Sequence, residues 1–300
     1  MKRKRPFTEI LSNVAPLKKR TTSSKHSLKD SKNVKPLTQL HFSIDRSIVR
    51  SCSLCGLSYT QGAIGDESLH KTHCARIRKG MEWGKEEERE RLKYGSSAVE
   101  VDDDVYLKGR ESGRIISVDA ACGGKIGHRV STFLQTVNEA LSAPSMESDA
   151  LKSSRVYLFL LKTSETTTAT REKIVGCIVA QRIEHAMEIA SSSEPSGQDP
   201  SSSLSLVHVE GNLFCNPRPL PTPMGIARLF VSSAHRRKGI AQALLNAAAR
   251  TFVHGCTLNP ARGEVAFSQP TSLGKSVMEN WGKGGVRIYE EHVRKKKSDS

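Results

Sequence analysis

The chain has 300 residues, 37% of them hydrophobic and 26% charged, which is enough apolar content for at least one globular core. No apolar run reaches about 18 residues and none follows the basic N-terminus, so we expect neither a membrane-spanning helix nor a secretory signal. The seven cysteines are an odd number without a disulfide-like spacing, which indicates a reducing compartment.

The net charge of +15 is concentrated at the start of the chain. Residues 1–50 carry thirteen lysines and arginines against three acids, with few aromatic residues, and we predict a disordered basic arm over residues 1–45. Its clusters Lys2–Arg5 and Lys18–Arg20 are typical of nuclear import or nucleic-acid contacts, so we expect a nuclear protein. A solvated tail without a partner is the alternative. Residues 293–300 form a second basic tail.

A cluster of cysteines and histidines follows the arm. Two residues separate Cys52 from Cys55, and fourteen separate Cys55 from His70. Two thiolates on a turn and two ligands one helical turn apart can complete a tetrahedral zinc site. For the fourth ligand we favour Cys74, because positions i and i+4 share a helix face, with His73 as the alternative. We predict one structural zinc finger over residues 46–80; ordinary buried cysteines and surface histidines are the competing interpretation.

Residues 81–110 are predicted to link the finger to a larger domain, through a charged helix at Glu82–Lys93 and the start of a hairpin. The hairpin joins the alternating apolar residues of Val99–Leu107 to Ile115–Val118. The segment Gly127–Ala143 then has the apolar spacing of an amphipathic helix.

The middle of the sequence predicts a sheet. Near-continuous apolar runs at Val156–Leu161 and Ile174–Val179 indicate two buried strands joined as a hairpin. A Ser- and Pro-rich insertion covers residues 190–205, and alternating prolines from Pro217 to Pro223 then predict an extended lead into a strand near Ile226.

The last part of the predicted domain alternates helices and strands. The segments are a helix at Ile240–Phe252, a strand at Glu264–Phe267, a short helix near Ser272–Trp281 and a strand at Gly285–Tyr289. Over residues 111–292 this order predicts an α/β (α+β) fold, in which helices flank one mixed central sheet.

The turn Arg236–Ala241 is the most informative stretch of the chain. It joins the apolar strand Leu229–Val231 to an amphipathic helix, and it is basic and contains Gly239. Such a turn directs free backbone N–H groups to one spot at the positive end of the helix dipole, which suits a pyrophosphate. Gly239 lets the backbone approach the anion, and Ala241 keeps the next position small.

The pattern Arg236-x-x-Gly-x-Ala241 after a strand resembles the acetyl-coenzyme A loop of the GNAT acetyltransferases. With the finger, the chain resembles the cohesin acetyltransferases, the sister-chromatid cohesion establishment family. The likeness covers residues 50 to 290 in three blocks: Cys52–Thr60 with Asp66–His70, Gly225–Val231 with Arg236–Ala241, and Gly263–Thr271 with Gly274 and Lys275. Cys74, where the family usually has a histidine, and Gly263 depart from its pattern.

The resemblance implies transfer of an acetyl group from acetyl-coenzyme A to lysines on the ATPase head of cohesin. The expected groups around the coenzyme are the N–H groups of Phe230 and Val231 at the thioester, the residues Arg236, Arg237, Lys238, Gly239, Ile240 and Ala241 at the diphosphate, and Ser268 and Thr271 at its tail. Thr271 could equally cap the next helix. Arg228 is interpreted as a structural ion-pair residue.

Two further assignments concern the acceptor and a partner. Glu264 is the expected base, directly or through a water, with binding of a basic substrate peptide as its alternative role. The family also carries a sliding-clamp motif in its arm; Thr38–Phe42 is at best a degenerate version, and a random arm sequence explains it as well.

Other functions remain open from the sequence. One is a zinc-finger protein that binds nucleic acid or chromatin and has an inactive α/β domain, although the acidic run Glu86–Glu88 suits a phosphate backbone poorly. Another is a GNAT enzyme that acts on a small amine.

Overall fold

The computed structural model describes residues 49–95, 98–109, 111–163, 171–190, 207–209 and 213–291. The predicted basic arm, residues 191–205 of the insertion, the basic tail and Thr38–Phe42 all lie outside the described residues. In the part that is described, no helix is long and apolar enough to cross a membrane.

The described residues form helices, strands and two short 3-10 turns. The helices are α1 (Ile64–Lys79), α2 (Lys85–Lys93), α3 (Gly124–Leu141), α4 (Ser148–Lys152), α5 (Ile240–Thr251) and α6 (Ser272–Gly282). The strands are β1 (Val49–Ser51), β2 (Ser58–Thr60), β3 (Met81–Trp83), β4 (Ala98–Tyr106), β5 (Ser112–Asp119), β6 (Ser154–Thr163), β7 (Arg171–Arg182), β8 (His185–Ile189), β9 (Val207–Val209), β10 (Leu213–Pro221), β11 (Met224–Val231), β12 (Val265–Phe267) and β13 (Arg287–Ile288). The 3-10 turns are Ser233–His235 and Pro260–Arg262.

One mixed sheet organises the chain, which confirms the predicted fold class. Its strand order is β4-β5-β6-β7-β11-β12-β13-β8-β10-β9, and β3 pairs with β7 beside that path. The pairs β11 with β12 and β12 with β13 are parallel, and the other pairs are antiparallel. The strands β1 and β2 form a separate small hairpin.

Both faces of the central strands are covered, which explains the near-continuous apolar runs of β6 and β7. On one face, Ile240 and Leu244 of α5 pack with Tyr157 and Ile178 of the sheet. On the other face, α1 and α3 contribute a second cluster that includes the fully buried Phe133. Each such buried side chain stabilises the fold by about 1.5–3 kcal/mol relative to exposure.

The strand β3 was not expected, because a charged helix was predicted from Glu82 onward. In the structure Met81 and Trp83 are buried and Met81 pairs with Ile174 of β7, so this segment is extended and α2 begins only at Lys85. The preceding Gly80 has φ 82° and lies against the Ile174 carbonyl, where a side chain would collide. The chain that leaves the finger helix therefore enters the central sheet at once.

The acidic character of α2 has a structural cause. The Glu90 carboxylate accepts from the backbone N–H groups of Lys125 (2.7 Å) and Ile126 (3.1 Å), and so caps the N-terminus of α3. Glu87 accepts from Arg129 of the same helix at 2.6 Å. The acids that made α2 a poor partner for nucleic acid thus bind the larger domain.

Arg114 of β5 is the centre of a second ion-pair network. Its guanidinium bonds Glu172 (2.7 and 2.9 Å), Glu100 (3.0 Å) and Glu88 of α2 (2.8 Å). Burial alone would raise the pKa of Glu88, but hydrogen bonds from Arg91, Arg114 and Trp83 outweigh it and hold that pKa at about 2. The network joins α2 to three strands of the sheet.

The proline-rich lead is extended, as predicted, and it is also a strand. β10 contains Pro217, Pro219 and Pro221 and pairs with β8, with a register shift between Cys215 and Pro219. Proline lacks an N–H and is accommodated at sheet edges and irregularities, which explains the broken register. The pairing of β8 with β10 was missed because the two strands are distant in the sequence, with β9 and the Ser- and Pro-rich insertion between them.

Candidate functional site

Two parallel strands separate in the middle of the sheet. β12 pairs with β11 only from Met224 to Ile226, whereas β11 continues to Val231. The last backbone bond between them runs from Ser268 N–H to the Ile226 carbonyl, at 3.0 Å. In the described part of the chain, no strand covers this edge of β11 beyond that point, and a gap opens there.

A bulge marks the start of the gap. Ile226 pairs with Ala180 and Arg228 with Val179, so Ala227 is an extra residue in β11. The Ala227 carbonyl accepts from Ser268 Oγ (2.9 Å) and from Arg228 Nη1 (2.8 Å). Side chains therefore hold β11 at the point where its backbone hydrogen bonds to β12 end.

The bulge decides which N–H groups face the gap. Ser232 N–H donates to the Val175 carbonyl of β7 at 2.8 Å. Antiparallel pairing alternates, so Phe230, opposite Cys177, also directs its N–H to β7. The N–H groups of Leu229 and Val231 point the other way. The N–H of Phe230 therefore does not face the gap as expected, whereas that of Val231 does.

The turn after β11, here called the cradle, contains two left-handed residues. Gly239 is the N-cap of α5 with φ 98°, and Arg237 is also left-handed with φ 62°. Within the described residues, no acceptor bonds the backbone N–H groups from Arg236 to Gln242. Left-handed residues turn successive N–H groups toward one side, and the helix N-terminus adds positive potential. Arg237 bears roughly 1 kcal/mol of strain for this geometry.

The basic side chains of the cradle have different partners. Lys238 forms an ion pair with Glu111 at 2.6 Å, so much of its charge is offset. Arg236 Nε donates to the Val231 carbonyl at 3.2 Å, which closes the turn onto the end of β11. Arg237 is exposed. The field at the cradle therefore comes from the backbone and from Arg237 more than from Lys238.

Glu264 lies away from the gap. It precedes Val265, which pairs with Met224 at the start of β11, and its Oε2 accepts from Asn259 N–H. Glu264 and Ser268 are four positions apart along an extended segment, which corresponds to a distance of about 13 Å.

The two hydroxyl residues after β12 have different roles. Ser268 holds the Ala227 carbonyl at the gap, as described above. Thr271 is the N-cap of α6, and its Oγ1 accepts from Gly274 N–H at 3.2 Å. Of its two expected roles, the structure therefore contains the capping role.

Sequence reasoning missed polar groups beside the cradle. Ser232 follows β11 and is fully buried, and neither its Oγ nor the Nδ1 of His235 has a partner among the described residues. Burial, and then the charge of Lys238, lower the pKa of His235, so its imidazole is neutral at pH 7. No motif marks these residues, because only the fold brings them to the end of β11.

The structure brings together Cys52, Cys55, His70 and Cys74. Their ligand atoms lie within 4.8 Å of one another. His70 Nε2 is buried and has no hydrogen-bond partner among the described residues, and its ring stacks on Tyr59 at 4.2 Å. His73 is not part of this group; its Nδ1 lies 3.1 Å from Glu139 Oε2 of α3.

These four residues fit a tetrahedral zinc ion. Zinc–sulfur bonds of about 2.3 Å place ligand atoms about 3.8 Å apart, so a small contraction completes the site. The backbone N–H of Leu54 and the His70 side chain lower the pKa of Cys52 to about 6, which gives the thiolate that zinc binds. Burial, and then the neighbouring Cys52, raise the pKa of Cys55 to about 11.

Family models match two parts of the chain. One is described as ESCO1/2 acetyl-transferase and matches residues 220–289, and the other is described as zinc-finger of acetyl-transferase ESCO and matches residues 39–76. The first match contains the gap and the cradle, and the second contains all four zinc-site residues.

Curated relatives agree with both matches. N-acetyltransferase ECO1 of Yarrowia lipolytica is 28% identical over 93% of this chain and 82% of its own length. N-acetyltransferase eso1 of Schizosaccharomyces pombe is 28% identical over 82% of this chain and 24% of its own length. For N-acetyltransferase ESCO2 of Homo sapiens the identity is 26%, over 75% of this chain and 32% of its own length. The chain thus spans a third or less of the latter two relatives.

A solved structure has the same fold. It is the xEco2 acetyltransferase domain bound to a K105-CoA conjugate, with a TM-score of 0.50, 23% identity, and coverage of 66% of this chain and 99% of that chain. Fold and matches together define an N-acetyltransferase preceded by a zinc finger. In both its finger and its larger domain, the chain is similar to the ESCO acetyltransferases.

Purified protein should contain one zinc ion per chain, measured by elemental mass spectrometry. Cys74→Ser should lose most of the metal, because it removes one of four ligands. His73→Ala, one position away on α1, is the matched control and should keep the metal, because His73 bonds Glu139 instead. The opposite pattern would make His73 the ligand.

Proposed function

We propose that this chain transfers the acetyl group of acetyl-coenzyme A to lysine side chains of a protein. The observation that carries the proposal is the cradle of free N–H groups at the start of α5, beside a strand edge that has lost its neighbour. Acetyl-coenzyme A supplies an acyl group activated as a thioester. Its diphosphate suits the cradle, and its acyl end suits the gap.

The residues of the gap have separate tasks in this proposal. The N–H groups of Leu229 and Val231 polarise the thioester carbonyl, which gains negative charge during transfer. The amine attacks as a neutral group, since a free lysine has a pKa near ~10.4. The carbon–nitrogen bond forms as the carbon–sulfur bond breaks, and the proton that the amine loses ends on the departing sulfur, so that the coenzyme leaves as a thiol.

For Glu264 we propose the second of its two expected roles, binding of a basic acceptor peptide. Its half-exposed carboxylate lies at the end of β12 remote from the gap, too far for direct proton transfer to an amine there.

The acceptor and the location follow from the family. We propose lysines on the ATPase head of cohesin as the acceptor, in a nuclear reaction that establishes sister-chromatid cohesion during replication. The sliding clamp remains a proposed partner of Thr38–Phe42. The alternative nucleic-acid binder is less well supported, because it gives no role to the cradle at the start of α5 or to the free edge of β11.

Gly239→Ala should weaken acetyl-coenzyme A binding at least about tenfold, measured by titration calorimetry. A Cβ at Gly239 meets no atom, but φ 98° strains any other residue and turns the cradle N–H groups. Gly255→Ala is the matched control, because Gly255 also has positive φ and open space but lies after α5.

A comparison of the two variants separates the effect of backbone strain on stability from the loss of coenzyme binding. Both should lower the melting temperature, and only Gly239→Ala should lose the thermal stabilisation that the coenzyme gives. Equal coenzyme affinity in the two variants would contradict the cradle. Salt-sensitive binding to duplex DNA without any coenzyme effect would favour the nucleic-acid binder.

Glu264→Gln should raise the KM for a lysine-rich acceptor peptide several-fold and leave the pH profile of kcat unchanged. The reason is that it removes an attractive charge and no proton acceptor. Steady-state kinetics between about pH 6 and 9 measure both quantities. A loss of kcat that is larger at low pH than at high pH would restore the role of base.

A further inference from the structure

We propose that Arg228 is a positioning residue for acetyl transfer, which fixes the bulge of β11 so that Leu229 and Val231 N–H face the acyl carbonyl. This inference rests on the proposed function. Arg228 was expected to form a structural ion pair, and the structure shows that its contacts meet at the start of the gap.

Arg228 binds four separate acceptors. Nε donates to Asn138 Oδ1 at 3.0 Å and Nη2 to the Pro144 carbonyl at 2.9 Å. Nη1 donates to the Ala227 carbonyl at 2.8 Å and also to the Glu291 carboxylate. A guanidinium is planar and has fixed donor directions, so these acceptors determine its position.

The network around Arg228 is largely buried, so its partners cannot be replaced by water. The side chain of Arg228 is 4% exposed and that of Glu291 is 23% exposed. A charge at this depth requires its partners, because breaking a buried pair leaves an uncompensated charge. The ion pair therefore stays closed, and it attaches the chain after β13 to the bulge.

The anchor on α3 is itself held from the other side. Asn138 lies in the last helical turn of α3, and Oε2 of the next residue, Glu139, lies 3.1 Å from Nδ1 of His73 on the finger helix. The final turn of α3 thus connects the finger helix to the bulge through Arg228. The finger is therefore attached to the larger domain at the same helical turn that holds Arg228.

The consequence for the reaction concerns two N–H groups. Arg228 holds the Ala227 carbonyl, two residues before Leu229, and Ser268, just after β12, holds the same carbonyl from the other side. If this carbonyl turns, the following peptides turn with it, and the N–H groups no longer align with the acyl oxygen. The cradle is also held by contacts that do not involve Arg228, such as the hydrogen bond from Lys108 N–H to the Lys238 carbonyl. The affinity for the coenzyme should therefore remain when Arg228 is replaced.

The test uses the full chain with acetyl-coenzyme A and a lysine peptide, and it measures kcat and coenzyme Kd separately. Arg228→Lys should lower kcat about a hundredfold, since donors misplaced by about 1 Å cost that much. Asn138→Ala, a milder change, should lower it about fivefold, and Asn138→Asp, which restores an acceptor, should recover most of it. The coenzyme Kd should stay within about twofold for all three variants.

Arg114→Lys is the matched control, because Arg114 is also a buried arginine with several carboxylate partners, but on β5. It should lower the melting temperature and leave kcat per coenzyme-binding site unchanged. An equal loss of kcat in Arg114→Lys, or unchanged kcat in both Arg228→Lys and Asn138→Ala, would overturn the inference and leave the proposed function standing. If the unaltered chain neither binds the coenzyme nor transfers acetyl, both fail.

Discussion

The Ala227 carbonyl accepts one hydrogen bond from Arg228 and one from Ser268, at the point where two parallel strands separate. Without the bulge at Ala227, the pleat would place the opposite set of N–H groups along the free edge of β11. Without the separation of β12, these groups would be bonded within the sheet. The site thus depends on one irregular residue in an otherwise regular strand, and buried side chains maintain the irregularity.

The finger and the larger domain are one structure. The chain leaves α1 through Gly80 and at once adds β3 to the central sheet. The acids of α2 then bind α3 and Arg114, and His73 bonds Glu139. Each surface ion pair contributes little alone, but the Arg114 network is largely buried and shared among four elements. A zinc ion that stabilises the finger therefore also stabilises its contacts with the central sheet and with α3.

Sequence patterns predicted the parts of the fold that depend on local periodicity. The apolar runs of β6 and β7, the four-residue spacing of α5 and the ligand spacing around Cys52 all correspond to elements in the structure. The patterns failed where a segment becomes a strand only because it pairs with another strand. β3 is a three-residue strand whose extended form depends on β7, and β8 is a five-residue strand whose partners, β10 and β13, are distant in the sequence.

The same limit applies to the site. Phe230 was expected to face the gap, but the direction of each N–H depends on the bulge at Ala227, which has no signature in the sequence. Glu264 was expected near the reaction, but the parallel register places it beside the start of β11. The turn before α5 was easier to predict, because glycine, basic residues and a helix start are contiguous in the chain.

Residue-resolved amide exchange by NMR, with and without acetyl-coenzyme A, tests the central claim most directly. The account predicts that the coenzyme slows exchange at Leu229, Val231 and the amides from Arg237 to Ala241, while Phe230 is already protected by β7 in the free protein. Exchange at Phe230 that is fast in the free protein and slowed by the coenzyme, with Leu229 and Val231 unaffected, would contradict it.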